Sequence, residues 1–126
     1  MKKIIFYSYL KCSTCRKAEK WLKSKDFVFQ LIDIVKEPPL VNYLNLALQQ
    51  YSDDKKRIFN TRGKAFKTLN VDIYGLSREE IIQLLLSDGK LIKRPFLIYD
   101  EKKVILGFNE IEYVKSLCKV KKSKLC

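Results

Sequence analysis

The chain has no histidine among its 126 residues. That excludes any Cys–His or Ser–His nucleophilic pair and removes one of the two side chains that most often hold zinc. A second C-x-x-C is also missing, so Cys12, Cys15, Cys118 and Cys126 do not form a zinc-site pattern. Long apolar runs are absent. The most apolar stretches, residues 4–7 and 81–86, are too short to span a membrane. Lys2 and Lys3 are followed by only four apolar residues before Ser8, too few for the core of a secretory signal. The expectation is a cytoplasmic protein with no membrane partner. In such a reducing compartment structural disulfides are not expected. No internal repeat is visible.

What is present is a composition of 47% hydrophobic and 32% charged residues, that of one soluble globular domain. The formal net charge is +12. Nucleic acid or an acidic protein is a candidate partner for such a charge. The lysines are spread along most of the chain, however. They read as a solvated surface, and direct DNA binding is not expected.

Period and breakers give the element order. Residues 3–7 form a buried strand, 14–25 a helix with Ala18, Trp21 and Leu22 inward, and 27–34 a second strand. A strand, a helix and a strand within about thirty residues make a βαβ unit. Lys36-Glu37-Pro38-Pro39 breaks the chain. Helices follow over 41–51, over 55–59, over 62–69 capped by Asn60 or Thr61, and over 78–87. Ser77 and Glu80 make a capping box before the last of these. The middle third carries no strand signal. Residues 96–99 and 104–106 then form a hairpin around residues 100–103, and 110–117 form the last helix. The predicted fold is α/β and thioredoxin-like. A four-stranded mixed sheet carries flanking helices, with a helical insertion at about 38–88 between the N-terminal βαβ and C-terminal ββα units. The domain spans 1–117. Residues 118–126 are a basic, flexible tail with four lysines in 119–126. Cys118, at helical spacing from Val114, is expected to be buried.

Cys12-Ser13-Thr14-Cys15 lies at the junction of the first strand and helix. A cysteine there faces unpaired backbone N–H groups and the positive end of the helix dipole. Lys11, Arg16 and Lys17 add positive charge. Both effects favour the thiolate and raise reactivity. Cys15 is placed to attack an adduct formed on Cys12. In a βαβ context the pair reads as a redox motif rather than a zinc half-site. Lys93-Arg94-Pro95 precedes the third strand. Pro95 is a candidate for a cis bond that leaves a backbone edge open to a substrate chain. Arg94 would bring a fixed positive fork to Cys12.

Four stretches together resemble the arsenate reductase/Spx family of thioredoxin-fold proteins over roughly residues 3–117. They are Cys12-Ser13-Thr14-Cys15-Arg16-Lys17-Ala18, Phe59-Asn60-Thr61-Arg62-Gly63-Lys64-Ala65-Phe66, Ser87-Asp88-Gly89-Lys90-Leu91-Ile92-Lys93-Arg94-Pro95 and Leu106-Gly107-Phe108-Asn109-Glu110. The resemblance implies Cys12 as nucleophile, Arg94 as its neighbour and Pro95 in cis, with Ser13, Thr14, Arg16 and Pro95 at the substrate. It implies no metal or organic cofactor. An external thiol donor, glutathione with glutaredoxin or thioredoxin, would supply electrons for a small oxyanion or disulfide substrate.

Arsenate reductases of the family use one nucleophilic cysteine and three arginines to clamp the oxyanion. Here Cys15 stands where they have Ser or Thr. Only Arg94 matches the clamp, with Asn60 and Phe108 (or its neighbour) at the other positions. The C-x-x-C and Thr61-Arg62 resemble Spx regulators, which bind the C-terminal domain of the RNA polymerase alpha subunit. Two readings follow. The favoured one is a thiol–disulfide oxidoreductase with Cys12 attacking and Cys15 resolving. The alternative is a redox-sensing regulator that binds RNA polymerase.

Overall fold

The computed structural model describes residues 3–118. In chain order the elements are β1 (Ile4–Ser8), α1 (Ser13–Ser24), β2 (Gln30–Asp33), α2 (Val41–Gln50), α3 (Lys64–Leu69), α4 (Arg78–Ser87), β3 (Phe96–Tyr99), β4 (Lys103–Leu106) and α5 (Glu110–Tyr113). Short 3-10 turns cover Lys55–Ile58, Ile73–Gly75 and Gly89–Leu91. The four strands form one sheet in the order β2-β1-β3-β4. β1 is parallel to β2 and antiparallel to β3, and β3–β4 is a hairpin. The predicted mixed four-stranded sheet is the observed one, with the helices α2 to α4 inserted between β2 and β3.

β1 is buried along its whole length because helices cover both faces of the sheet. Successive side chains alternate between faces. Ile5 and Tyr7 join Phe96, Ile98 and Val104 against Leu44, Leu48, Ile81 and Leu85 of α2 and α4. Ile4 and Phe6 join Leu97 and Ile105 against Ala18, Trp21 and Leu22 of α1 and Tyr113 and Leu117 beyond β4. Trp21 is core, as its helical spacing implies, and its indole N–H donates to Glu110 at 3.1 Å.

α1 stops in a Schellman arrangement. The N–H of Phe27 reaches the Leu22 carbonyl and that of Asp26 the Lys23 carbonyl, both at 3.0 Å. Asp26 takes the left-handed conformation, φ 59°, that this requires. This turn consumes the start of the expected second strand, so β2 is four residues long rather than the predicted eight. Phe29 instead sets its ring edge-on to Phe6 at 5.6 Å. Two further expectations are corrected. α3 begins at Lys64 with Gly63 as its cap, because the Asn60 carbonyl holds the Gly63 N–H in a preceding turn. The chain after Tyr113 widens into a π-type turn over Val114–Cys118. The hairpin, capping box and buried position of Cys118 are as read from the sequence. The basic segment 119–126 lies outside the described residues.

β4 is an edge strand, and a side chain closes part of its edge. The Gln50 amide donates to the Val104 carbonyl at 2.6 Å and accepts the Val104 N–H at 3.0 Å, as a neighbouring strand would. Gln50→Ala leaves both backbone groups of a buried residue without a protein partner. It is expected to cost about 1–3 kcal/mol in denaturant unfolding, with Gln50→Glu retaining only the accepting half.

Candidate active site

The loop between β1 and α1 is held by its own backbone and one side chain. The Cys12 N–H donates to the Tyr9 carbonyl at 2.9 Å, and the Arg16 guanidinium donates to the Leu10 carbonyl at 2.7 Å. This fixes Cys12 as the N-cap of α1 in extended backbone geometry. Its Sγ accepts the Cys15 N–H at 3.4 Å, so sulfur takes the role that a serine or aspartate oxygen plays at other helix starts. Cys12 is half-buried, whereas Cys15 is 0% exposed, on the face of α1 that packs on the sheet.

Burial alone would raise the Cys12 thiol. It is outweighed by hydrogen bonds from the Cys15 thiol and backbone N–H and by the Arg94 guanidinium, so Cys12 sits below the ordinary cysteine value. Cys15 is pushed the other way, up to about 12, by burial first and then by donating its proton to Cys12. The two thiols therefore have distinct tasks at neutral pH. One is reachable and ionises more readily than an ordinary cysteine, and the other is a protonated, sheltered thiol beside it.

Arg94 is fixed on two sides. Its guanidinium lies over the Tyr9 ring at 5.0 Å and donates to the Lys90 carbonyl at 3.4 Å, leaving it within hydrogen-bonding reach of Cys12. The Arg94–Pro95 bond is cis. The buried Pro95 carbonyl accepts the Gly107 N–H at 2.8 Å, which ties this segment to the end of β4. Arg94→Ala is expected to raise the Cys12 thiol toward the ordinary range. The check is the pH dependence of iodoacetamide alkylation, which shifts to higher pH and slows at pH 7.

Not every sequence candidate meets at Cys12. Ser13 and Thr14 occupy the exposed first turn of α1. Arg16 turns to the loop carbonyl of Leu10 and acts as a strap. The leading groups that lower the Cys12 thiol are Cys15 and Arg94, not Lys11, Arg16 or Lys17. Phe108 packs edge-on to Tyr113 at 4.8 Å and near Trp21, so it belongs to the core behind α1. Asn60 lines a separate basic cleft. Sequence reasoning missed Ser8 and Tyr9. Ser8 is the one buried polar residue among those described, at the end of β1, and its hydroxyl hydrogen-bonds Cys15. A serine closing an otherwise apolar strand just before the cysteine loop was the available signal.

Among the described residues no group of three or more side chains could hold a metal, and no helix is long and apolar enough to cross a membrane.

Comparison with known proteins agrees with this arrangement. The ArsC family matches residues 7–116. The uncharacterized protein YusI of Bacillus subtilis is 41% identical over 112 residues, covering 87% of this chain and 94% of that protein. The global transcriptional regulator Spx of Lactiplantibacillus plantarum is 38% identical over 109 residues, covering 86% of this chain and 82% of that protein. A solved structure from Streptococcus mutans, described as a possible arsenate reductase, superposes with a TM-score of 0.79 at 37% identity. It covers 86% of this chain and 93% of that one. The strand order, the cysteine pair at the first helix and the match over nearly the whole described chain place this protein in the ArsC family.

Proposed function

We propose that this chain is a thiol–disulfide oxidoreductase working through Cys12 and Cys15. The observation that carries the reading is the placement of the pair: a partly exposed Cys12 at the helix start, its sulfur accepting the Cys15 N–H with Arg94 in reach and its acidity raised, above a buried Cys15 held as thiol. In the first step the Cys12 thiolate attacks one sulfur of a substrate disulfide. A mixed disulfide forms on Cys12 and one substrate thiolate leaves. Cys15 then gives up its proton and attacks the Cys12 sulfur. The second substrate thiolate leaves, and Cys12 and Cys15 end as a disulfide. Two electrons have passed to the substrate, and an external thiol system, glutathione with glutaredoxin or thioredoxin, returns them. No metal or organic cofactor enters. Arg94 stabilises thiolate at Cys12 and negative charge on the departing group.

Arsenate is a poorer fit than a disulfide. Of the three clamp positions among the described residues, Arg94 alone brings a cation to the cysteine, with Asn60 in another cleft and Phe108 in the core. Each missing charge-assisted hydrogen bond removes roughly 1.5–3 kcal/mol of oxyanion binding. The test is turnover of a low-molecular-weight disulfide and, separately, of arsenate, each with a thioredoxin or glutathione system. Turnover of the disulfide and inertness to arsenate is expected. No turnover of either would count against the enzyme.

The second reading is a redox-sensing transcriptional regulator acting with the alpha subunit of RNA polymerase. It is favoured by the curated relatives named Spx and by one named regulatory protein MgsR, 35% identical over 112 residues. Here oxidation of the pair alters the surface around the cysteine loop and α1. Binding to the isolated C-terminal domain of the polymerase alpha subunit that changes on oxidation would support it. Absence of binding in both redox states would remove it.

A further inference from the structure

A cleft of about 560 Å³ opens beside the 3-10 turn Lys55–Ile58 and the loop that follows it. This volume lies in the range of small-molecule sites. Four cations line it: Lys56, Arg57, Arg62 and Lys93. The single lining carboxylate, Asp54, already accepts the Tyr74 hydroxyl at 3.1 Å. Among the described residues none of the four cations has an ion-pair partner. Like charges converging on one concave space repel each other more than the same charges spread over a convex surface, and an anion in the cleft relieves that repulsion.

Three of the four are also anchored. The Arg57 guanidinium lies over the Tyr51 ring at 4.7 Å, and the Lys56 ammonium over the Phe66 ring at 5.9 Å. The Lys93 N–H is bonded to the Ile58 carbonyl at 2.8 Å, which fixes its backbone on the cleft wall. Asn60 and Thr61 add neutral polar groups to the lining. A site with two cations seated on aromatic rings, neutral hydrogen-bonding groups and four cations against one carboxylate suits a compact ligand with several negative charges.

We infer that this cleft binds a small polyanion of the phosphate class, carrying two or more phosphate-type charges, at a site separate from Cys12. The lining contains neither Cys12 nor Arg94. Lys93 precedes Arg94 in the chain, so ligand at the cleft and chemistry at the cysteine share one backbone segment.

The test is calorimetric titration of reduced protein with inorganic pyrophosphate and with orthophosphate, with backbone amide shifts followed by NMR. Saturable one-to-one binding of pyrophosphate is expected, tighter than orthophosphate, with the largest shifts at residues 60–63. Lys56→Gln combined with Arg62→Gln should weaken it about a hundred-fold, near ten-fold for each cation removed. Both residues are exposed, so this variant should fold, and an unchanged circular dichroism spectrum and Tm verify that. Cys12→Ser should bind pyrophosphate as the parent does. Absence of saturation overturns the inference, as does equal binding by the cleft variant. A loss in Arg94→Gln as large as in the cleft variant would move the anion to the cysteine and overturn it as well.

Discussion

Cys12→Ser is expected to reduce disulfide turnover to the background rate, while Cys15→Ser stops the reaction one step later. The two outcomes differ because the two sulfurs differ. Cys12 is the partly exposed one, its thiol made more acidic by Cys15 and Arg94. Among the described residues the other thiol of the pair cannot take its place, since Cys15 is buried and protonated at neutral pH. In Cys15→Ser the first attack still occurs, and the mixed disulfide on Cys12 then has no resolving thiol. Intact-mass measurement after mixing with a small disulfide should show a stable adduct of one substrate half in Cys15→Ser and none in Cys12→Ser. In Cys15→Ala the Cys12 sulfur also loses the side-chain donor that lowers its pKa, and its alkylation midpoint should move to higher pH than in the parent. Adduct formation in Cys12→Ser would reverse the assignment of roles.

The largest effect on stability is expected from Gly89→Ala. Gly89 is buried and starts the 3-10 turn Gly89–Leu91 after Asp88, whose carboxylate caps the Lys90 N–H at 2.9 Å. A Cβ there would overlap the Ile34 carbonyl and approach the Val35 Cα to 2.9 Å. Those are backbone atoms just past β2, so no rotamer change relieves the overlap. Overpacking of this kind costs about 3 kcal/mol or more. The same turn supplies the Lys90 carbonyl that holds Arg94, so displacement would also loosen the cation beside Cys12. Denaturant unfolding should show the loss, and alkylation of Cys12 at pH 7 should slow. Gly75→Ala is the matched comparison. Its Cβ would meet only Asp72 Oδ2 at 3.7 Å, an ordinary contact, and a change within about 0.5 kcal/mol is expected.

The order of strands and helices is legible in the sequence because each element carries its own period. β1 reads as an unbroken apolar run, α1 as Ala18, Trp21 and Leu22 at helical spacing, and α4 opens on a capping box. The cysteine pair is legible because its place at a strand-to-helix turn is a local property of the chain. Illegible are the features that depend on partners far along the chain. Gln50 reads as the polar end of a helix, yet its amide pairs with Val104, 54 positions away. Arg16 and Arg94 are both arginines near a cysteine on paper. Only the folded loop shows that one reaches the Leu10 carbonyl and the other lies over Tyr9. β2 is shorter than its sequence suggests, because Phe27, Val28 and Phe29 are strand formers by composition. The Schellman turn at Asp26 and the packing of Phe29 on Phe6 override that preference. The basic cleft is hidden in the sequence because Lys93 joins Lys56, Arg57 and Arg62 only through the fold, and along the chain these cations look like part of a dispersed basic surface.

The pairing of Cys12 with Cys15 is tested most directly by peptide mapping by mass after reduced protein is treated with one equivalent of hydrogen peroxide. The Cys12 thiolate would take oxygen as a sulfenic acid, and Cys15 would displace it as water. A single product is expected, two hydrogens lighter than the reduced protein, with Cys12 and Cys15 linked. A product in which Cys12 carries oxygen while Cys15 remains an alkylatable thiol would contradict the pairing on which the proposed chemistry rests.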